Sequence, residues 1–351
     1  MGCDVVTGAT GHLGNVLIHE LRRQGREVRA VIQPGDDGDG LEGLDLQRVE
    51  ADVRDVDAMT RAVTGAERVF HLAGIVSITR AQRQRMHDVN VGGTRAVLAA
   101  CRAQGVQRLV HMGSVHALTE PAHGVLDETS GFDPRLAAGL YGKTKAEACA
   151  EVQRAARAGE VDAVLVLPTG VVGPFDVRLS EVGQLLLDLE AGKVPFLLAG
   201  GHDWVDVRDV ARGTLLAAQL GRTGEAYLLG SERLTLRELA TVVHEETGAR
   251  VPAVLPMWLA TTLAVPVSWS ETFTRRRALL TPYAVHALSV PFTVSHEKAT
   301  RELGFSPGPV RPALRDALRW LHENAAGRRV PGPGRTLRPA VTPRRAGASA
   351  P

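Results

Sequence analysis

The stretch Cys3-Asp4-Val5-Val6-Thr7-Gly8-Ala9-Thr10-Gly11-His12-Leu13-Gly14-Asn15 decides the fold. Its first five residues form a short apolar run that predicts a strand over Cys3–Thr7. A glycine triplet follows at once, and then a helical pattern over Asn15–Gln24 that Gly25 ends. A strand that passes through glycines into a helix is the setting in which Gly-x-x-Gly-x-x-Gly reads as a dinucleotide-binding loop. Gly8 permits the tight turn, Gly11 lets the backbone approach a pyrophosphate, and Gly14 allows close packing of helix on strand. The amides at the helix start then face the phosphates. The spacing differs from the commoner Gly-x-Gly-x-x-Gly.

Outward from this stretch, short β-rich runs alternate with helical patterns. Strands are predicted at Val28–Ile32, Val49–Ala51, Arg68–Leu72, Arg108–Met112 and Ala163–Leu167, and helices at Val56–Thr64, Val91–Ala103 and Tyr141–Ala158. Helices between strands imply crossover connections, hence a parallel sheet covered on both faces. The strands are nearly all apolar, as burial on both faces requires. The fold class is therefore α/β, a doubly wound parallel-sheet Rossmann domain over residues 1–173, with 203–230 expected to return to it through strands at Trp204–Val207 and Ala226–Leu229. Residues 174–202 and 231–326 read as a smaller, mostly helical substrate lobe, with helices at Leu179–Ala191, Leu236–Thr247, Pro256–Val265 and Ala313–Asn324.

The 351 residues carry 41 Lys+Arg against 39 Asp+Glu. No acid follows Glu323, whereas Arg328, Arg329, Arg335, Arg338, Arg344 and Arg345 do. The rest of the chain is therefore acidic, and the basic character belongs to the tail. Residues 327–351, rich in Pro, Gly, Arg and Ala, are expected to be disordered. They have no aromatic residues for base stacking, so no nucleic-acid partner is expected. Cys3, Cys101 and Cys149 form no CxxC pair, which fits a reducing, cytoplasmic setting without a zinc cluster. No secretory signal and no integral membrane segment are expected, the apolar stretch Val254–Trp269 being cut by Pro256 and Pro266.

Two further groups carry chemistry. Tyr141 and Lys145 stand four apart and so share a helix face, where an ammonium beside a phenol favours the phenolate and lowers a pKa near 10. Such a phenol can exchange a proton with a carbonyl or alcohol. Ser114 follows a strand at the sheet's C-terminal end, where ligands lie in doubly wound sheets, and can hold a substrate oxygen. His111, His116 and His123 do not make a metal site, and no metal is expected. No Gly-x-Ser-x-Gly elbow surrounds Ser114, which disfavours serine hydrolysis.

In this order the three groups resemble the extended branch of the short-chain dehydrogenase/reductase superfamily, over roughly residues 3–325. Supporting matches are Asp52-Val53, His71-Leu72-Ala73-Gly74, Asn90-Val91-Gly92-Gly93-Thr94, Leu167-Pro168-Thr169-Gly170-Val171-Val172-Gly173-Pro174, Asp206–Val210, and Lys298-Ala299 with Leu303-Gly304-Phe305. The resemblance implies Tyr141 as acid/base, Lys145 on the nicotinamide ribose and Ser114 orienting the carbonyl. It implies a cofactor site of Gly8, Thr10, Gly11, His12, Leu13, Gly14, Gln33, Asp52, Val53, Leu72, Ala73, Gly74, Asn90, Tyr141, Lys145, Pro168, Gly170 and Val171. Ser114, His116 and Thr169 are its substrate-side candidates. A homodimer is also implied, since this branch often pairs through a two-helix face.

Val115-His116-Ala117 after Ser114 lacks the carboxylate of the sugar-nucleotide dehydratases, and Gly170 stands where nucleotide-sugar epimerases carry an asparagine. The stretch 167–174 is similar to that of dihydroflavonol-reductase-like and 3β-hydroxysteroid-dehydrogenase-like members. That implies an NAD(P)-dependent ketone/alcohol oxidoreductase acting on a fairly apolar small molecule, with Trp258, Leu259, Leu263 and Trp269 as pocket candidates. The alternatives are an epimerase with tightly bound NAD and a redox-sensing regulator without catalysis. Between NAD and NADP, Ile32 and Gln33 stand at the family's acid and Arg positions, and the acids Asp36, Asp37 and Asp39 that follow favour NAD by repelling a 2′-phosphate.

Overall fold

Successive apolar side chains of one strand point to opposite faces, so Val5 and Val6 of β1 (Cys3–Thr7) enter two different cores. This is why the strands are apolar at almost every position. The computed structural model describes residues 2–38, 40–77, 82–259 and 282–325. After β1 come α1 (His12–Arg23), β2 (Glu27–Ile32), β3 (Gln47–Glu50), α2 (Val56–Ala62), β4 (Ala66–His71), α3 (Arg83–His87), α4 (Gly93–Gln104) and β5 (Arg108–Met112). The middle of the chain supplies β6 (Gly124–Leu126), α5 (Gly139–Arg157), β7 (Ala163–Pro168), β8 (Gly170–Val172), α6 (Glu181–Glu190), β9 (Phe196–Leu198), β10 (Gly201–Asp206), α7 (Val207–Leu220) and β11 (Ala226–Leu229). The last part supplies β12 (Glu232–Thr235), α8 (Leu236–Thr247), β13 (Ala253–Leu255), α9 (Pro282–Ser289), β14 (Phe292–Val294), α10 (Glu297–Leu303) and α11 (Val310–Ala325).

Seven strands form one parallel sheet in the order β11-β7-β5-β4-β1-β2-β3. Helices α2, α4 and α5 cover one face and α1 and α7 the other. The order reverses direction at β1 and β4, so the loops leaving these two strands open the crevice in which doubly wound sheets bind ligands. Helix ends follow local chemistry: Gly105 takes φ 61° to close α4, and Thr235 and Glu238 form a reciprocal capping box at the start of α8. A third core unites α6, α8 and α11 with Val172 and Trp204. Among the described residues no helix is long and apolar enough to cross a membrane.

Several sequence expectations are corrected. The strand expected at Trp204–Val207 does not enter the main sheet; β10 pairs with β8 and β12 in a separate three-stranded sheet, while β11 joins the main sheet beside β7. The helix expected over Val91–Ala103 starts instead at Gly93, because a π-helical turn over Asp88–Gly92 precedes it. The pairings β9 with β13 and β6 with β14 carried no recognisable pattern in segments of three residues. Most of the helix expected at Pro256–Val265, together with Leu263, Trp269 and the tail 327–351, lies outside the described residues.

The end of the sheet remote from the crevice is held by charge. Asp4, fully buried, accepts from Arg68 Nε and Nη2 at 2.7 and 2.6 Å and from Arg26 Nε and Nη2 at 2.8 and 3.0 Å. Arg68 is itself buried on β4 and lies over the Phe70 ring at 5.5 Å. Removing one member of such a group leaves an unpaired charge in the interior. Asp4→Ala is expected to lower unfolding stability by about 3–5 kcal/mol in urea titrations; a loss below about 1 kcal/mol would show that Arg68 finds other partners.

Candidate functional site

The glycine loop lies backbone on backbone against the segment that leaves β4. Gly8 has φ 68°, and a Cβ there would stand 2.7 Å from the Ala73 nitrogen and 2.9 Å from the Leu72 carbonyl carbon. A Cβ on Gly14 would meet the Gly8 carbonyl oxygen at 2.1 Å. Gly11 donates its N–H to Gly8 O at 3.0 Å and precedes α1, whose start has no side-chain cap and no acid in its first turn. An uncapped helix start beside a side-chain-free loop fits a dinucleotide's pyrophosphate. Around it, Leu13 packs into the α1 core, and His12 Nε2 bonds Pro174 O at 2.9 Å. Thr10 Oγ1 donates to Asp36 at 2.8 Å.

The segment Leu72–Ile75 is joined to the helix that carries Tyr141. Asn90, in the π-helical turn, accepts from Ile75 N at 2.7 Å and donates to Ile75 O and Thr144 Oγ1, each at 3.0 Å. Thr144 in turn donates to Tyr141 O at 2.9 Å. A Cβ on Gly74 would lie 3.2 Å from Asn90 Oδ1 and 3.4 Å from Lys145 Nζ, so these three expected site residues meet at one corner.

Ser114, Tyr141 and Lys145 converge at the C-terminal end of β5. Ser114 Oγ accepts from His116 N at 3.3 Å and stands close enough to the Tyr141 phenol to pull its pKa downward. Lys145 Nζ, buried, donates to Met112 O at 2.7 Å. The expected lowering of the phenol pKa by Lys145 is corrected here. Burial pushes Tyr141 up to about 12, against a smaller downward pull from Ser114. Burial also lowers Lys145, whose ammonium is directed at the Met112 carbonyl and the Gly74 corner.

A buried chain behind this corner links residues that the sequence offered only as separate motif matches. Ala73 N donates to Thr7 Oγ1 at 3.2 Å, Thr7 Oγ1 bonds His71 Nδ1 at 2.8 Å, and His71 Nε2 bonds Thr94 Oγ1 at 3.1 Å. Thr94 Oγ1 spends its proton on Asn90 O at 2.7 Å, so His71 must donate from Nε2 and accept at Nδ1. Burial holds its pKa at about 3, consistent with one neutral tautomer. His111 lies beside it, ring centroids 5.4 Å apart, buried and with neither ring nitrogen hydrogen-bonded among the described residues.

Rings follow one another outward from Tyr141. His116 meets Tyr141 edge-on at 6.3 Å and stacks on His202 at 5.5 Å and 9°, and His202 meets Trp204 edge-on at 5.5 Å. Burial lowers His116 to about 3 and His202 to about 4, so both rings are neutral. Gly170 makes room for them, since a Cβ there would fall 2.7 Å from the Trp204 ring and 2.8 Å from His202. Thr169 is buried with its hydroxyl unbonded among the described residues, next to Pro168, the last residue of β7. Val171 lies in β8 and pairs with Val205. His202 and Trp204 carried no recognisable motif in the sequence.

Other expected residues sit farther out. Gln33 is exposed, Asp52 is taken up by Arg54 at 2.9 Å from its backbone nitrogen, and Val53 packs where a Cβ on Gly93 would touch it. Trp258 is 72% exposed. A separate surface cavity of about 600 Å³, lined by Arg83, Gly139, Leu140 and Lys143, includes none of Ser114, Tyr141 and Lys145.

Residues 5–230 match the model of the NAD dependent epimerase/dehydratase family. The chain is 35% identical over 322 residues to the sterol demethylase protein B of Methylococcus capsulatus, covering 91% of this chain and 98% of that protein. It is 31% identical to a putative dihydroflavonol 4-reductase of Synechocystis, covering 92% and 95%. Among solved structures, that of gox2253 superposes with a TM-score of 0.81 at 29% identity, covering 92% of this chain and 98% of the other. The dTDP-glucose 4,6-dehydratase DesIV of Streptomyces venezuelae, solved with NAD bound, shares the fold at a TM-score of 0.76 and 22% identity, covering 93% and 98%.

The buried histidines make stability pH-dependent. Below the ordinary histidine pKa of 6.5 the unfolded chain binds protons that folded His111 refuses, so stability is full above that pH and declines as pH falls. His111→Leu removes an unbonded imidazole at similar volume. The stability difference between about pH 7 and pH 5 is expected to shrink by about 2 kcal/mol in urea titrations; an unchanged difference would mean that His111 titrates normally.

Proposed function

Because the chain belongs to the NAD dependent epimerase/dehydratase family, we propose that it is an NAD(H)-dependent oxidoreductase interconverting a ketone and a secondary alcohol on a fairly apolar small molecule. The observation that carries this reading is the placement of Ser114 beside the Tyr141 phenol, next to the neutral rings of His116 and His202. The dinucleotide, when bound, supplies the hydride acceptor or donor. The chain's own residues supply the rest. Tyr141 Oη gives a proton to the carbonyl oxygen, and Ser114 Oγ holds that oxygen in place. Burial keeps the phenol protonated, which is the form needed for reduction. Lys145, Asn90 and Gly74 meet where the nicotinamide ribose would be held.

Support for the substrate class comes from the wall. The neutral imidazoles of His116 and His202 offer no cation to a diphosphate, and Arg233, near His202, is paired with Asp203. Relatives named for a sterol and a dihydroflavonol agree with a neutral ring-bearing ketone. NAD rather than NADP is supported by the carboxylate of Asp36 against the glycine loop.

Tyr141→Phe is expected to retain NAD(H) binding within about twofold and to lose at least about 100-fold in kcat on a ketone and alcohol panel. Unchanged turnover overturns the role of Tyr141. Altered product stereochemistry without net NADH change makes the enzyme an epimerase instead.

A further inference from the structure

The end of β2 holds Ile32 and an exposed Gln33, so neither an acid nor an arginine stands where adenosine-ribose recognition starts in doubly wound folds. The chain brings a carboxylate back from farther along the loop. Asp36 Oδ2 accepts from Thr10 Oγ1 of the glycine loop at 2.8 Å, and Oδ1 accepts from Gly38 N at 3.0 Å. Its side chain is only 6% exposed. The other charge at this corner comes from the second lobe: Arg178 pairs through one Nη with Asp36 Oδ1. The guanidinium Nε and that same Nη are buried, and neither makes a hydrogen bond among the described residues, so the pairing with Asp36 is one of charge. The fork thus faces the carboxylate without the two parallel hydrogen bonds that arginine and carboxylate can form.

The segment that delivers Arg178 is tightly specified. Phe175 and Leu179 adopt φ of 69° and 52°, in the left-handed region that residues with a Cβ avoid. Pro174 O bonds His12, Phe175 lies over His19 at 6.1 Å, and buried Asp176 accepts from Ser180 N and Oγ. A strained passage held at both ends fixes where the guanidinium stands.

We propose that Arg178 is a cofactor-discriminating residue held in check by Asp36. The carboxylate accepts from the adenosine ribose hydroxyl of NAD and repels a 2′-phosphate, while Arg178 balances its charge. Without that carboxylate the guanidinium is left with an unpaired fork at the same corner, and a fork of that kind binds phosphate. The inference rests on the dinucleotide reading of the site and is independent of the ketone substrate.

The test is calorimetric titration of NAD and NADP into the full chain, as wild type, Asp36→Asn, Arg178→Ala and the double variant. Thermal melting checks that each is folded. Asparagine keeps a side chain able to bond Thr10 and Gly38. The expected result is that Asp36→Asn shifts the NADP-to-NAD affinity ratio at least about tenfold toward NADP, and that Arg178→Ala on that background abolishes the shift. A ratio unchanged within about twofold in Asp36→Asn, or a shift that survives loss of Arg178, overturns the proposal. Wild type binding NADP more tightly than NAD overturns the NAD preference instead, and failure of both dinucleotides to bind overturns the cofactor reading itself.

Discussion

The glycine loop packs main chain on main chain against Leu72 and Ala73, and the rest of the site depends on that approach. With no side chain at Gly8 or Gly14, three pieces of main chain pack where side chains would otherwise keep them apart. The loop leaving β1 then touches the loop leaving β4 at the point where strand order reverses. Asn90 fastens the second loop to α5 through Ile75 and Thr144, and Thr144 bonds the carbonyl of Tyr141. The loop that would receive phosphates and the helix that carries the phenol thus belong to one hydrogen-bonded frame. Displacing either would strand buried polar groups, at about 1–3 kcal/mol for each.

The same frame explains why the groups near the phenol are shifted toward their uncharged forms. Ser114, Lys145, His71 and His111 lie at the C-terminal ends of strands covered on both faces, where water is excluded. Desolvation therefore dominates every resolved pKa shift in this region: upward for Tyr141 and Cys149, downward for Lys145 and the histidines. A lysine at i+4 from a tyrosine is not sufficient to make a phenolate. The direction of the amine matters, and here it points at the Met112 carbonyl.

The main sheet could be read from the sequence because its rules are local. Apolar runs of five or six residues, glycines after helices and the triplet after β1 each report on neighbours within a few positions. The positions of Gly8, Ser114, Tyr141 and Lys145 were legible for the same reason, since each sits at a strand end or on a helix face. Arg178, His202 and Trp204 were not, because they reach the site only through tertiary packing, and a single arginine or tryptophan carries no periodicity. The short strands β6, β9, β13 and β14 escaped for a related reason: three residues cannot display an alternation. Glu128 is a similar case, a partly buried carboxylate that accepts from Leu228 N at 2.6 Å across a large separation in sequence. Trp204–Val207 misled because an apolar run looks the same whether it joins the large sheet or a small one.

What the local rules missed is concentrated in one passage of chain, from Pro168 to Arg178. Pro168 ends β7 in the main sheet, and Gly170 begins β8 in the small sheet. The single residue between them, Thr169, turns the chain from one sheet to the other. The missing side chain at Gly170 lets His202 and Trp204 pack against the start of β8, and an asparagine there would collide with both rings. A few residues on, Pro174 meets the start of α1 and Arg178 meets Asp36 at the opposite end of the crevice. One passage thus shapes both the wall beside the phenol and the corner at the glycine loop. Its left-handed residues are tolerated because both ends of the segment are fixed, so a shift at one end cannot be absorbed without disturbing the other. The wall beside the phenol and the corner at the glycine loop are therefore joined mechanically through this one passage of chain.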